Sequence, residues 1–274
     1  MRKVLLTSVL LAAFTLGGSL TSCSSASVDP LADGVLTIGL ECAYSPFNYT
    51  EYSASSTNLP IKGTSGEYCG GYDILIAQKL GEDLGVTVEV VRCDWDGLIP
   101  QVQAGTIDAI IAGMTDTEQR RNSIDFTDEY YSSQLVIVTR EEFKDYNEVS
   151  DFSGKTFIAQ LGTVQADLVS SLAESDGIIA GTSPATYPEA FTALSAGTVD
   201  AVICETPVAN DFLASSQGTG FVSVSMEDNE DFTVSVSIGI SKKAVSTFKE
   251  TLNASLAKIS QSEREALMNS VTGE

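Results

Sequence analysis

Two kinds of apolar pattern alternate along the chain. Short runs of apolar, often β-branched residues predict buried strands at 35–40, 86–91, 135–139, 156–160 and 234–240. Segments in which apolar residues recur every three or four positions predict helices at 73–84, at 163–172 and from about 244 to 271. Strands that alternate with helices in this way predict an α/β fold with mostly parallel sheets.

A repeat divides this pattern into two similar units. Residues 104–111 read AGTIDAII and residues 196–203 read AGTVDAVI, and a helical pattern precedes each block, at 95–103 and at 187–195. Gly105 and Gly197 suit the left-handed residue that ends a helix, and the apolar run after each glycine predicts a buried strand. The two copies start 92 residues apart, so we expect two α/β units.

The N-terminus has the pattern of an export signal. A basic start precedes an apolar run over 4–16, which is shorter than the roughly 20 residues needed to span a bilayer. A leucine and two small residues then precede Cys23, and this order resembles a bacterial lipobox, in which the cysteine is lipidated after cleavage. We therefore expect a signal peptide at 1–22 and a lipidated, flexible tether at 23–34. The alternative is an ordinary signal with an incidental Cys23.

Composition narrows the function classes. The chain has 37 acidic and 15 basic residues and a formal net charge of −22, so nucleic acid is not an expected partner. Loss of residues 1–22 removes two positive charges and lowers the net charge to −24. The chain has no histidine, which excludes Ser-His-Asp and Cys-His mechanisms and His-containing zinc sites.

The four cysteines after Cys23 form no CxxC pair, so neither a metal site nor a cofactor is expected from them. An even number of cysteines in an exported chain permits disulfides. A bridge among Cys42, Cys69 and Cys93 is one alternative. Cys204 ends a predicted buried strand and suits a small core thiol.

Charged, hydroxyl and aromatic residues follow the predicted strands, where ligands of open α/β sheets bind. Arg120 can bind a carboxylate through two parallel hydrogen bonds. The amides of Thr163 and Val164, at a helix start, favour the same anion, and Glu205 can bind an ammonium group. Each residue type also has a plainer explanation, because arginines and glutamates are common on surfaces and Trp95 also suits a core. Paired carboxylates also serve glycoside hydrolysis, but no motif here supports that chemistry.

Five blocks carry a resemblance to a known family. They read IGLECAYSPFNY, GGYDILIAQKLGEDLG, WDGLIPQVQAGTIDAIIAGMTDTEQRRNSIDFTDEYY, GKTFIAQLGTVQ and AGTVDAVICETPVA. From about residue 35 to 260 the chain resembles the amino-acid-binding proteins of ABC importers, and the third block is the most specific. The resemblance implies an α/β, two-lobed type II periplasmic-binding-protein (Venus-flytrap) fold with a mostly parallel sheet in each lobe and a ligand cleft between.

The implied protein is a monomer without catalytic residues that binds a free amino acid outside the cytoplasm. It would deliver this ligand to an ABC transporter permease and touch the membrane only through its lipid anchor. We expect lobe 1 at 35–131 plus 237–274 and lobe 2 at 132–236. The chain would cross between them near Ser132–Ser133 and near Val236.

The resemblance also implies which residues bind each part of the amino acid. The implied set is Arg120, Thr115, Thr163 and Val164 for the α-carboxylate; Gly113, Thr115 and Glu205 for the α-ammonium; Tyr44 and Trp95 for a sandwich around the side chain; Glu41 for its far end; and Met114 and Gln160 for the walls.

Charge favours one class of ligand. Positions 41 and 205 hold glutamate where well-known members of the family have aspartate, so the resemblance alone does not imply which amino acid binds. Glu41 and Glu205 against Arg120 leave one negative charge in excess, which a cationic side chain would balance. We therefore expect arginine, lysine or ornithine. The alternative ligand is glutamine, because Glu41 can accept a hydrogen bond from its side-chain amide. The alternative protein classes are a dehydratase of small carboxylic acids on the same fold and a sensor domain.

Overall fold

The computed structural model of the protein describes residues 28–225 and 232–272. The strands in this part of the chain are β1 (Val35–Leu40), β2 (Ala43–Tyr44), β3 (Asn48–Glu51), β4 (Asn58–Pro60), β5 (Tyr68–Gly70), β6 (Thr87–Arg92), β7 (Ala109–Ile110), β8 (Asp125–Arg140), β9 (Thr156–Ile158), β10 (Ile179–Ala180), β11 (Ala201–Glu205), β12 (Phe221–Ser225) and β13 (Thr233–Ile240). The helices are α1 (Tyr72–Leu84), α2 (Leu98–Ala104), α3 (Glu118–Arg121), α4 (Val164–Ser175), α5 (Tyr187–Ser195), α6 (Thr206–Ala214), α7 (Ser246–Leu256) and α8 (Gln261–Thr272). The predicted signal peptide at 1–22 and Cys23 lie outside the described residues.

Two half-sheets share the long strand β8. One half has the order β6-β1-β7-β13-β8, and the other has the order β8-β11-β9-β10, with β12 also paired to β8. The pairs that β1 makes with β6 and β7, and that β9 makes with β10 and β11, are parallel. All pairs that involve β8 or β13 are antiparallel. The prediction of mostly parallel sheets is therefore wrong in this detail, and the two-lobed α/β fold has mixed sheets.

The antiparallel ribbon of β8 and β13 connects the two halves. Strand β8 has 16 residues and a polar, part-exposed middle, so an apolar pattern reveals only its second half. The predicted crossing points lie opposite each other in this ribbon, since Ser132 pairs with Ser235 and Tyr131 pairs with Val236. The register shifts directly after Val236, which marks a local irregularity at this place.

The repeat predicted from the sequence has a structural basis in each half-sheet. Asp108 Oδ2 accepts a hydrogen bond from the backbone N–H of Thr37, and Asp200 Oδ2 accepts one from that of Thr156, both at 2.8 Å. The same aspartates donate their own backbone N–H groups to the carbonyls of Thr37 and Thr156. Each aspartate thus fixes the strand of its repeat to a neighbouring parallel strand.

A small antiparallel sheet, in the order β2-β3-β5-β4, leads into α1. The first N–H groups of α1, from Tyr72 and Asp73, donate to the carbonyls of Pro46 and Phe47 at 3.0 and 2.8 Å. Gly71 precedes the helix at φ 110°, and a Cβ there would lie 2.5 Å from the Phe47 carbonyl oxygen. A glycine is therefore required for these carbonyls to approach the helix start so closely.

The four cysteines of the described chain are free thiols. Cys42, Cys69 and Cys204 are buried, and Cys93 is half-buried. Cys204 lies in the buried strand β11, as the pattern predicts. In the same residues, no three Cys, Asp or Glu side chains are grouped to hold a metal ion. None of the described helices is both long and apolar enough to cross a bilayer.

Candidate functional site

A small cavity lies where the two half-sheets face each other. Its walls come from the segments that follow β1, β6, β7 and β9 and from the last residue of β11, which are carboxyl ends of strands. The residues that line it are Glu41, Tyr44, Trp95, Gly113, Thr115, Arg120, Gln160, Thr163, Val164, Gln165, Tyr187 and Glu205. The structure thus brings together the predicted site residues other than Met114.

Arg120 supplies the positive charge of the cavity. Its Nη1 donates to the Thr115 carbonyl at 2.7 Å and its Nη2 donates to the Gly162 carbonyl at 3.1 Å. The guanidinium lies over the Trp95 ring, 5.3 Å from the ring centre, so cation–π attraction helps to hold it. Burial lowers the pKa of Arg120, and the nearby Asp167 opposes this shift. In the described chain Arg120 forms no ion pair with a carboxylate.

Glu205 supplies a buried negative charge at the end of β11. Its side chain is 1% exposed, and its Oε2 accepts a hydrogen bond from the Tyr44 hydroxyl. Its Oε1 is buried and has no hydrogen-bond donor among the described residues. Burial raises the pKa of Glu205 to about 7, although the Tyr44 hydrogen bond lowers it. A buried carboxylate oxygen without a donor is costly, and this one belongs to a residue that lines the cavity.

Glu41 supplies a second negative group, directly after β1. Its Oε1 accepts a hydrogen bond from Gln160 Nε2 at 2.8 Å, and Gln160 Nε2 also donates to the Ala185 carbonyl. Burial raises the pKa of Glu41 to about 7; the Gln160 hydrogen bond lowers it, and the charges of Asp94 and Asp96 raise it further. The cavity therefore has a negative potential on the side of Glu41.

The start of α4 forms another wall. Thr163 caps this helix, because its Oγ1 accepts a hydrogen bond from the Ala166 N–H at 3.2 Å. The same hydroxyl donates to the Gln160 carbonyl at 2.7 Å. The N–H groups of Thr163 and Val164 lie at a helix N-terminus, where no intrahelical acceptor is available and an anion is favoured.

Tyr44 and Trp95 lie in two separate aromatic groups of the cavity wall. Tyr44 stacks with Phe47 and Tyr187, with ring centres 5.3 and 4.9 Å apart. Trp95 lies against Arg120, and its Nε1 donates to the Gly162 carbonyl at 3.0 Å. Among the described residues no ring contact joins Tyr44 and Trp95, and both line the cavity, so the sandwich around a ligand side chain stays a prediction.

The prediction that Met114 lines the site is wrong. Its neighbours Gly113 and Thr115 line the cavity, whereas the Met114 side chain is buried in the main hydrophobic core. The Met114 carbonyl accepts a hydrogen bond from the Ser237 N–H at 2.9 Å. Met114 therefore faces the core although the residues on either side of it line the cavity.

The sequence reasoning missed two lining residues, Gln165 and Tyr187. Tyr187 begins α5, the second helix of the repeat, and its hydroxyl donates to the Ile203 carbonyl at 3.1 Å. It occupies the position in the second copy that Trp95 occupies in the first. The repeat therefore contained a signal for Tyr187. Gln165 follows Val164 directly and is buried, and no pattern in the sequence marks it.

Comparison with known proteins places this geometry in one family. The family model for bacterial extracellular solute-binding proteins, family 3, matches residues 36–273. The L-arginine-binding protein of Pseudomonas aeruginosa is 31% identical over 217 residues, which cover 77% of each chain. The arginine-binding extracellular protein ArtP of Bacillus subtilis is 31% identical over 168 residues, or 61% of this chain and 59% of that protein.

Solved structures share the fold. An ancestral arginine-binding protein bound to arginine has a TM-score of 0.72 at 27% identity, covering 86% of this chain and 97% of its own. The same kind of ancestral protein bound to glutamine has a TM-score of 0.72 at 28% identity, covering 88% and 99%. An ancestral amino-acid-binding protein, described as a precursor of cyclohexadienyl dehydratase, has a TM-score of 0.71 at 25% identity, covering 88% and 96%. The family match over most of the chain, together with this fold, shows that the protein belongs to the bacterial extracellular solute-binding proteins of family 3.

Proposed function

We propose that this protein is the solute-binding component of an ABC importer and captures a free amino acid with a cationic side chain, namely arginine, lysine or ornithine. One observation carries the proposal. In the described chain Arg120 has no carboxylate partner and Glu205 Oε1 has no donor, yet both side chains line the same cavity. An α-amino acid supplies a carboxylate for the first and an ammonium for the second.

The α-carboxylate is assigned to Arg120. A guanidinium has five N–H donors, and two hydrogen bonds of Arg120 go to backbone carbonyls, so donors remain for a planar anion. The N–H groups of Thr163 and Val164 and the amide of Thr115 complete this half of the site. The α-ammonium is assigned to Glu205, the Gly113 carbonyl and the Thr115 hydroxyl.

Glu41 favours a cationic side chain over a neutral one. If Glu41 and Glu205 are both ionised, one negative charge is left in excess beside Arg120, and a dry cavity makes that excess costly. A distal ammonium or guanidinium near Glu41 removes the excess. Its apolar stem would lie along Tyr44 and Trp95. The arginine-binding relatives support this assignment, whereas glutamine remains the alternative ligand because a fold relative binds it.

The same fold also supports a second candidate class, an enzyme that eliminates water from a small carboxylic acid. The dehydratase precursor among the fold relatives is the observation that favours it. A dehydratase would use Arg120 for its substrate carboxylate but would leave the Glu205 and Glu41 pair without a cationic partner. Binding without chemical change therefore fits the charges better.

The proposal includes the lobes and the anchor expected from the sequence. Residues 35–131 plus 237–274 would form lobe 1 and residues 132–236 lobe 2, in a monomer held at the outer face of the membrane by a lipid on Cys23. Cys23→Ser should release the protein from cell membranes into the soluble fraction. A variant that stays with the membranes after a high-salt wash would count against the anchor.

Titration calorimetry with arginine and citrulline tests the ligand assignment, since citrulline has nearly the shape of arginine without its charge. Arginine should bind at least tenfold more tightly to the wild type. Glu41→Gln should reverse or abolish this preference, because it should lower the affinity for arginine about 30-fold or more. This is the effect of removing one partner from a buried charge pair. Glutamine binding tenfold more tightly than arginine and lysine would overturn the cationic ligand.

Mass spectrometry of the recovered ligand tests the enzyme alternative, because ligand that had been consumed would indicate catalysis.

A further inference from the structure

We infer that Asp73, which does not line the cavity, is a positioning residue that holds two strand-end segments of the binding site in place through two hydrogen-bonded arms. One arm runs through Tyr130 to Gly113, and the other runs through Asn48 to Cys42, the neighbour of Glu41. The inference rests on the proposed function for the roles of Gly113 and Glu41. It adds a residue of α1 to the determinants of ligand affinity and ligand choice.

The two arms are continuous in the structure. In the first, the Gly113 N–H donates to the Tyr130 hydroxyl at 3.0 Å, and that hydroxyl donates to Asp73 Oδ1 at 2.6 Å. In the second, the Cys42 N–H donates to Asn48 Oδ1 at 2.8 Å, and Asn48 Nδ2 donates to Asp73 Oδ2 at 2.8 Å. Asp73, Asn48 and Tyr130 are each fully buried, so water cannot replace a missing partner.

Every hydrogen bond in both arms points toward Asp73. A backbone N–H can only donate, so the Tyr130 oxygen and Asn48 Oδ1 must accept from Gly113 and Cys42. Tyr130 and Asn48 therefore turn their remaining donors, O–H and Nδ2–H, toward residue 73. Both terminal atoms of the side chain at position 73 must therefore accept a hydrogen bond. The two oxygens of an ionised carboxylate can do so, whereas an amide has only one oxygen. Asparagine at 73 would place its NH₂ group against one of the two donors.

Both arms end at residues with unusual backbone conformations. Gly113 has φ 61° and Cys42 has φ 53°, and Cys42 is the one non-glycine residue of the described chain with positive φ. A left-handed conformation is unfavourable for a residue with a Cβ, so the hydrogen bond that the Cys42 N–H donates to Asn48 Oδ1 helps to hold it. The Cys42 carbonyl is also held, because it accepts a hydrogen bond from Thr50 Oγ1 at 2.8 Å.

The two conformations set the directions of the functional groups beside them. Gly113 lines the cavity, where its carbonyl is the proposed acceptor for the α-ammonium group, and Cys42 follows Glu41, whose carboxylate accepts a hydrogen bond from Gln160. Loss of the Tyr130 arm should therefore weaken the binding of every α-amino acid. Loss of the Asn48 arm should act on Glu41 and change the discrimination between side chains.

Four variants separate these effects from a general loss of stability. Tyr130→Phe removes the first arm, Asn48→Ala removes the second, and Asp73→Asn disturbs both. Tyr72→Phe is the matched control, because the Tyr72 ring stacks with Tyr130 and its buried hydroxyl donates to the Tyr130 carbonyl at 2.9 Å, outside both arms. Urea unfolding would establish which variants fold and how much stability each loses.

Calorimetry with arginine and citrulline supplies the result. Tyr130→Phe should lower the affinities for arginine and for citrulline about tenfold each, the effect of leaving one buried N–H without its acceptor. Asn48→Ala should lower the ratio of arginine to citrulline affinity about fivefold or more, on the same scale. Tyr72→Phe should lower stability and leave both affinities within about twofold. The inference would be overturned if Tyr130→Phe bound both ligands as tightly as Tyr72→Phe does and if Asn48→Ala kept the same ratio of arginine to citrulline affinity as Tyr72→Phe. This outcome does not depend on whether Asp73→Asn folds.

The wild-type measurement separates this inference from the proposed function. A wild type that binds citrulline or glutamine as tightly as arginine contradicts the cationic ligand. The Tyr130 arm is then measured with the amino acid that binds best, and a loss of about tenfold still supports positioning of Gly113. An unchanged affinity for that amino acid overturns the inference.

Discussion

Under the proposed function, Glu41 and Glu205 would couple the release of protons to ligand binding. Burial raises the pKa of both carboxyl groups to about 7, above their usual range near 4.3. A ligand cation beside each carboxylate favours the ionised form and lowers these pKa values again. Ligand binding near neutral pH therefore releases protons.

The sign of the pH dependence follows from these shifts. Affinity for arginine should be at its full value above pH 7 and should fall as the pH drops below 7, by up to about tenfold per pH unit for each carboxyl that must lose a proton. Calorimetry at pH 8, 7, 6 and 5 in two buffers of different ionisation enthalpy measures both the affinity and the protons released. Citrulline should show a shallower dependence, because it does not require an ionised Glu41. Equal slopes for both ligands would contradict this role of Glu41.

Arg120 and its neighbour Arg121 provide a matched pair. Arg120→Ala should weaken arginine binding by about 3–5 kcal/mol, or two to three and a half decades, because the ligand carboxylate would be buried without a partner. Arg120→Lys should restore part of this loss, since an ammonium cannot form two parallel hydrogen bonds. Arg121 is exposed and pairs with Asp116 at 2.6 Å, so Arg121→Ala should bind normally. A normal Kd for Arg120→Ala in the same calorimetric assay would contradict the carboxylate assignment.

At this scale, charge and strand-end position predicted most of the candidate site. Glu41 and Glu205 stand out because each is an ionisable residue at the end of an apolar strand, and Arg120 because it is a cation in the segment that follows the strand of the first repeat copy. Met114 could not be assigned correctly, because the sequence does not show on which side of the segment 113–115 the core lies. The pairing of Tyr44 with Tyr187 depends on how the two half-sheets face each other, and no local pattern contains that information.

The ends of α1 show how one glycine differs from another. Gly71 stands before the helix at φ 110°, and a Cβ there would overlap the carbonyls of Phe47 and Pro46 at 2.5 and 2.8 Å. Gly85 follows the helix at φ 67°, and a Cβ there would meet no atom within 4 Å. The first glycine is required by contact and conformation, and the second by conformation alone.

Alanine at each position should separate the two effects. Gly71→Ala should lower the free energy of unfolding by about 2 kcal/mol or more, because steric overlap adds to backbone strain. Gly85→Ala should lower it by about 1 kcal/mol, the cost of a left-handed alanine. Urea denaturation followed by circular dichroism measures both. Equal losses would show that the loop at 46–47 moves away without cost.

Elements with a strong period were the ones that the sequence predicted well. Strand β1 and helix α5 begin and end at the predicted residues, since apolar patterns and turn residues agree there. The small sheet of β2 to β5 was missed because its strands are only two to four residues long, too short to show a period. Such strands are held by neighbouring chain segments rather than by their own pattern.

For the whole molecule, contacts between the two half-sheets close the cavity. Gln160 donates to Glu41, and Tyr44 donates to Glu205. The ribbon of β8 and β13 connects the halves, and its irregular register near Val236 suits a hinge. We expect the molecule to open at this ribbon and to close around its ligand.

Small-angle X-ray scattering tests this expectation. Addition of arginine to protein freed of ligand should decrease the radius of gyration, since closure brings the two lobes together. Arg120→Ala at the same arginine concentration should show no decrease, because it removes the carboxylate partner without altering the ribbon. A wild-type radius that is unchanged at saturating arginine would contradict hinge closure.

The position of β13 has a consequence for the order in which the molecule can fold. This strand is the last one in the described part of the chain, yet it lies between β7 and β8, so the first half-sheet lacks an inner strand until Ile240 is available. The second half-sheet needs only β8 to β12, which are complete by Ser225. A chain that emerges from its N-terminus onward would therefore finish its second half first and its first half last. Because the cavity needs both halves, the ability to capture an amino acid would be acquired only after β13 has emerged.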